Sequence, residues 1–176
     1  RPLPGGMYLI YLPSTKYFEM ILGVDQEFSF ETDTVNFLES LSYKGSEENQ
    51  VFLVFQRFMI DLRKEADSVQ ALIKNTSDEN EKQIFYDQAK KINETRIAYI
   101  EKVVADHPGL FAATFLKATL DITVPDPPMD ANGHIIDSTW QYYYFRNHYF
   151  DNFNIADPRL LRTPLYEDKV INYITK

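Results

Sequence analysis

The nearest approach to a metal site in this chain is Asp130-Ala131-Asn132-Gly133-His134-Ile135, where oxygen ligands two residues apart precede a glycine and an apolar residue. A calcium loop of that kind needs a first ligand two residues earlier and a bidentate Glu at its end. In this register those positions are Pro128 and Thr139, so the fit is partial. An Asn-Gly turn between extended segments is the expected structure, and calcium on Asp126, Asp130 and Asp137 is the alternative. No cofactor is expected.

His107, His134 and His148 include no pair one helical turn apart, the spacing that a zinc hydrolase requires. His107 precedes Pro108, which points to a capping role. His148 lies near Asp151 and can form a His-carboxylate pair, although a satisfied structural histidine is the commoner outcome. No Gly-x-Ser-x-Gly, phosphate-binding glycine loop or dinucleotide fingerprint marks a nucleophile or cofactor. The expectation is a non-catalytic chain, with an uncharacterised hydrolase as the third reading.

The best surface candidate is the aromatic stretch Trp140 to Phe153, because Trp and Tyr give large contact area at low entropy cost. Core packing competes for the same side chains. The expectation is that most of them are core and one face is left for a glycan or peptide, with Trp140, Tyr142, Tyr143 and His148 as the contact residues. In Phe153-Asn-Ile-Ala-Asp157-Pro158-Arg159-Leu-Leu-Arg162-Thr-Pro164, two Arg flank two Leu in a proline-bounded turn. Arg159 and Arg162 are candidate partner contacts, and a structural corner is the plainer reading.

The elements that must position these residues follow from hydrophobic periodicity. Met7–Leu12, Lys16–Leu22 and Glu27–Thr32 are short runs of aromatic and branched residues bounded by Pro13-Ser14, Gly23–Gln26 and Asp33, which predicts consecutive antiparallel strands. Alternation puts Phe28 and Phe30 on one face, and a fourth short strand is expected over Glu39–Tyr43. So small a sheet must pack on helices or belong to a larger one. After Gly45, Ser46 can cap a helix whose first turn carries Glu47 and Glu48. Val51, Phe55, Phe58, Leu62, Ala66, Val69 and Ile73, flanked by Phe52, Met59 and Leu72, carry its stripe to about Lys74. Asp78 with Glu81 opens a second helix bearing Ile84, Phe85, Ala89, Ile92, Tyr99, Ile100, Val103 and Val104, stopped by His107-Pro108-Gly109. The two form an antiparallel hairpin. Leu110–Leu120 predicts a short buried helix, Ser138 a cap for the aromatic helix, and Thr163-Pro164 the start of a last helix through Lys176. The predicted fold is α+β, mainly α: a hairpin or bundle of about five helices with a small amino-terminal antiparallel segment.

Composition bounds function. The chain of 176 residues carries 26 acidic against 18 basic residues, and its formal charge of -8 repels phosphate backbones, which argues against nucleic acid. No apolar run approaches the roughly 18 residues that span a bilayer. The absence of cysteine removes thiol chemistry without fixing a redox compartment. The chain opens at Arg1 without Met and without an apolar leader, so the expectation is a piece cut from something longer, a removed leader being the alternative.

Three strings, Pro4-Gly-Gly-Met-Tyr-Leu-Ile10, Lys44-Gly-Ser-Glu-Glu-Asn49 and Phe153–Pro164, resemble a group of exported proteins from Bacteroidetes-type bacteria. Those proteins have a strand-rich amino-terminal domain, a helical middle domain of unknown function and a carboxy-terminal thioredoxin-like domain of the thiol-disulfide exchange class. The resemblance implies that residues 1–44 end the first domain and 46–176 form the helical accessory domain. It implies a periplasmic or envelope location, with a lipid anchor on the parent left open. The partner it implies is the thioredoxin-like domain of the same parent, a client protein, or both. It transfers no catalytic residue, and the Cys-x-x-Cys of the redox domain has no counterpart here.

Overall fold

The computed structural model describes residues 1–12, 17–33 and 35–175. In chain order the elements are β1 (Gly6–Tyr11), β2 (Tyr17–Leu22), β3 (Ser29–Glu31), α1 (Phe37–Ser40), β4 (Ser42–Lys44), α2 (Glu47–Asn75), α3 (Glu79–Asp106), α4 (Phe111–Ala118), α5 (Trp140–His148) and α6 (Leu165–Thr175), with a 3-10 turn at Leu160–Arg162. The fold is α+β and mainly α; of the six helices among the described residues, α1 is a single turn. No helix among the described residues is long and apolar enough to cross a membrane. The Pro13-Ser14 boundary, Lys16 and Lys176 lie outside the described residues.

The strands form two separate antiparallel pairs, β1 with β2 and β3 with β4, rather than one run of neighbours. The reason is at Ile21. Its outward N–H donates to Asn49 Oδ1 at 2.7 Å, and its carbonyl accepts from Asn49 Nδ2 at 2.7 Å, so a side-chain amide fills the place of a next strand. Phe28 and Phe30 share a face as expected, since both rings contact Tyr43. The fourth strand starts later than expected. Glu39 and Ser40 belong to α1 because Asp33 Oδ1 accepts from the amides of Val35 and Asn36, and because Arg57 reaches from α2 to the carbonyls of Leu38, Glu39 and Leu41.

Residues 46–49 join four elements. Ser46 caps α2 by accepting from the Asn49 amide. Glu47 pairs with His107 at the end of α3. Glu48 accepts from the amides of Phe111 and Ala112 at 2.8 and 2.7 Å, so a carboxylate neutralises the positive end of α4, which has no cap from its own Leu110. Asn49 is buried and also donates to Ser46 Oγ, so both hydrogens and the oxygen of its amide group have partners.

Three apolar clusters result. The main one surrounds α4, whose Phe111, Ala112, Leu116 and Ala118 are fully buried against Phe52, Ile100, Phe153, Leu160 and Ile21. A second packs Phe18, Met20 and Leu22 with Leu41, Tyr43 and Leu53. Strand β2 therefore uses both faces, with Ile21 in one cluster and its even-numbered neighbours in the other. The third, around Leu62, Val69 and Ile92, draws every member from α2 and α3. Leu72 and Ile84, expected on the helix stripes, are exposed because they sit to the side of that seam. Gly45, where the sequence divides, separates β4 from α2, and the shared clusters join the two sides.

The Asp157–Arg162 corner is structural. Asp157 accepts from the Arg159 amide, Nε and Nη2, and the guanidinium lies 4.8 Å from the Phe111 ring centroid. Gly5 and Gly6 press against this corner: a Cβ on Gly6, whose φ is +151°, would stand 2.6 Å from Arg162 Cβ. Thr163 differs from expectation. Its hydroxyl donates back to the Leu160 carbonyl instead of capping α6.

Asn49→Ala leaves both Ile21 backbone groups buried without partners and should cost about 3 kcal/mol in urea unfolding; a loss under about 1 kcal/mol contradicts the bridging role. The Tyr43 hydroxyl is buried with no partner among the described residues, and burial pushes its ionisation up to about 12. Tyr43→Phe should therefore leave stability unchanged or raise it by about 1 kcal/mol in the same assay. Hydrogen bonds from Arg159 hold the Asp157 carboxyl below its ordinary value, so the pair stabilises the fold above about pH 4 and loses that effect as pH falls through the lowered value. Urea midpoints of the protein and of Asp157→Asn should differ at neutral pH and converge in acid; a constant gap excludes this linkage.

Candidate functional site

The aromatic segment is arranged differently from the single helix that its sequence suggests. Helix α5 stops at His148, and two turns follow, closed by Asp151 N–H to the His148 carbonyl and Phe153 N–H to the Phe150 carbonyl. The buried aromatics Tyr149 and Phe153 fall in those turns, while no residue of α5 itself is fully buried. Core packing thus accounts for the segment's second half only. Ser138 does not cap the helix. Asp137 instead orders the turn before it, accepting from the Thr139 hydroxyl at 2.6 Å and from its amide at 2.8 Å, which holds the Asp137 carboxyl below the usual range.

One flank of α5 is fixed to α6. Arg146 donates to the Tyr173 carbonyl at 2.5 Å with its guanidinium 4.1 Å from the Tyr173 ring centroid, and Tyr149 and Phe150 pack on the same ring. The first turn of the helix is the more exposed part. Tyr142 and Tyr143 are 53% and 59% exposed and meet edge to face at 5.3 Å. Tyr142 also lines a groove of about 420 Å³ with Val124, Gln141, Phe145 and Arg146. Trp140, Tyr144 and His148, each four residues from the next, stack in a row at 5.0 and 4.1 Å. Tyr144 and Arg146 were absent from the sequence-derived candidates; the i, i+4 spacing of Tyr144 with Trp140 and His148 was the available signal.

The loop before α5 is an ordered turn. Asp130 Oδ1 accepts from the amides of Asn132 and His134, Gly133 takes a φ of +82°, and Met129 bridges Ile135 across the turn. These backbone bonds, that from His134 first, hold the Asp130 carboxyl below its ordinary value. Its second oxygen faces His134 Nδ1 at 3.2 Å. Asp126, Asp130 and Asp137 do not converge, and no three His, Asp or Glu among the described residues stand where they can share a metal ion. Met129, Ile135 and Ile136 point outward, each more than half exposed.

The candidate residues do not assemble into one site. Trp140, Tyr142, Tyr143 and His148 share α5, with His148 also paired to Asp151 at 2.7 Å. Arg159 is spent on Asp157 and Phe111, and Arg162 donates to the Pro158 carbonyl. Each imidazole faces a carboxylate, at Glu47, Asp130 and Asp151, and none is bonded to a hydroxyl among the described residues. What this region offers is exposed aromatics on α5 and exposed aliphatics in the turn that precedes it. No family model, curated protein or solved structure matches this chain significantly.

Proposed function

We propose that this chain is a non-catalytic interaction module that docks a polypeptide on the exposed tyrosines of α5 and the turn before it. The observation that carries this reading is the display of Tyr142 and Tyr143, each more than half exposed, by a helix that Arg146 ties to α6 one turn further along. Anchored aromatics lose little entropy on binding, which makes them good centres of a protein interface. The aliphatic side chains of Met129, Ile135 and Ile136 in the adjoining turn add apolar area of the kind another protein buries.

A glycan is the second reading, favoured by the Trp140–Tyr144–His148 row. One feature weighs against it. Rings stacked on each other have used the inner faces on which a sugar would lie. In the exported parent that the resemblance implies, the polypeptide is the thioredoxin-like domain or its client, and the module's work is positioning or recognition in the periplasm.

The test is calorimetric titration of this chain with the thioredoxin-like domain encoded in the same reading frame, and with the client of that domain. Tyr142→Ala with Tyr143→Ala should weaken binding at least about tenfold while shifting stability by no more than about 0.5 kcal/mol. Unchanged binding by the double variant, or a reading frame that encodes no such domain and a chain that instead titrates with oligosaccharides, rejects the proposal.

A further inference from the structure

A second surface lies on the part of the α2–α3 hairpin that extends past α4. Helix α2, with 29 residues, is about 43 Å long, and the cluster holding its outer half to α3 contains residues of these two helices alone. Along one side of that seam runs a groove of about 360 Å³, floored by Met59, Leu62, Ala66, Ala89 and Ile92. Arg63 on α2 and Arg96 on α3 border it, with Asn93 between, and no carboxylate lines it. In a chain of formal charge -8 this is a local reversal of sign. Arg63 is exposed with no hydrogen bond or ion pair among the described residues, and Arg96 has only Asn93, at 3.3 Å.

We infer that this groove receives one acidic amphipathic helix from a partner protein, its apolar stripe on the floor and its carboxylates on Arg63 and Arg96. Three physical points select that occupant. The floor residues recur every three or four positions on both helices, matching the side-chain rows of a third helix. An extended segment would bring backbone amides and carbonyls onto helix surfaces whose own backbone groups are already bonded, whereas a helix satisfies its own. Ala66 and Ala89 leave a notch for a large apolar side chain, and each guanidinium, uncommitted to any carboxylate, can take a bidentate one.

The probe is a fluorescein-labelled, lactam-stapled helix with Leu on one stripe and Glu flanking it, compared with the same peptide carrying Gln for Glu. Anisotropy should show the Glu peptide binding, roughly tenfold weaker to Arg63→Glu or Arg96→Glu, and weakening between about 0.05 and about 0.5 M salt. The exposed position of Arg63 makes loss of folding an unsuitable explanation for its variant, and circular dichroism checks both. Ala66→Trp, which fills the notch and keeps both charges, should also lose binding, while Tyr142→Ala with Tyr143→Ala should retain it, separating this groove from the α5 surface. Equal affinity for the Glu and Gln peptides, or binding indifferent to charge reversal, overturns the inference. So does self-association of the chain that the Arg→Glu changes abolish in the absence of peptide binding, which assigns the groove to a second copy.

Discussion

The amide of Asn49 is the point on which the arrangement of strands and helices turns. A two-stranded hairpin is marginal by itself, and β2 has a backbone edge facing the helices where bulk water cannot serve it. Asn49 supplies one acceptor and one donor to Ile21 at 2.7 Å each, and its second amide hydrogen bonds Ser46, the residue that starts α2. A fully buried strand position and a helix N-terminus are thereby satisfied by the same side chain. Ile21 can then sit between two apolar clusters without leaving orphaned backbone groups, a situation whose cost runs to a few kcal/mol per group.

The neighbours of Asn49 extend the same principle. Glu48 serves the start of α4, the most buried helix, and Glu47 serves the residue that ends α3. At the same end of α4, Arg159 covers the Phe111 ring while holding Asp157, and Gly5 and Gly6 let β1 approach that corner, at Gly6 to a distance that no Cβ permits. Three stretches of the chain thus border one joint: the glycines, the first turn of α2, and the Arg159 corner. Their common role is mechanical, in that each lets strands and helices meet around Phe111 without an unpaired charge or a steric conflict.

Away from that joint the chain spends its apolar residues less completely. Helix α5 is tied to α6 through Arg146 and displays tyrosines in its first turn, and the outer part of the α2–α3 hairpin has a seam but no third layer among the described residues. The two surfaces differ in chemistry. The first is aromatic and aliphatic, and the second is an apolar groove edged by arginines in an acidic molecule. Two surfaces of different kind suit a module that holds two things relative to each other, which agrees with the proposed positioning role.

Much of this was legible in order along the chain. Period-3.6 stripes placed α2, α3 and α4, Ser46 and Asp78 marked helix starts, and His107-Pro108-Gly109 marked an end, because these signals act within one turn of chain. The Asn-Gly turn at Asp130 was legible for the same reason. The amino-acid sequence by itself therefore determined the helical class, the long hairpin and the buried α4. Only tertiary structure decided that strands pair in twos, since that depends on Asn49 meeting Ile21 across 28 positions, and that Glu48 caps a helix 63 residues away. It also decided which aromatics face water. Tyr142 and Tyr149 are equivalent in type and fall two turns apart on one side of the segment, and what separates them is that Tyr173 of α6 packs on Tyr149 while Tyr142 is left 53% exposed.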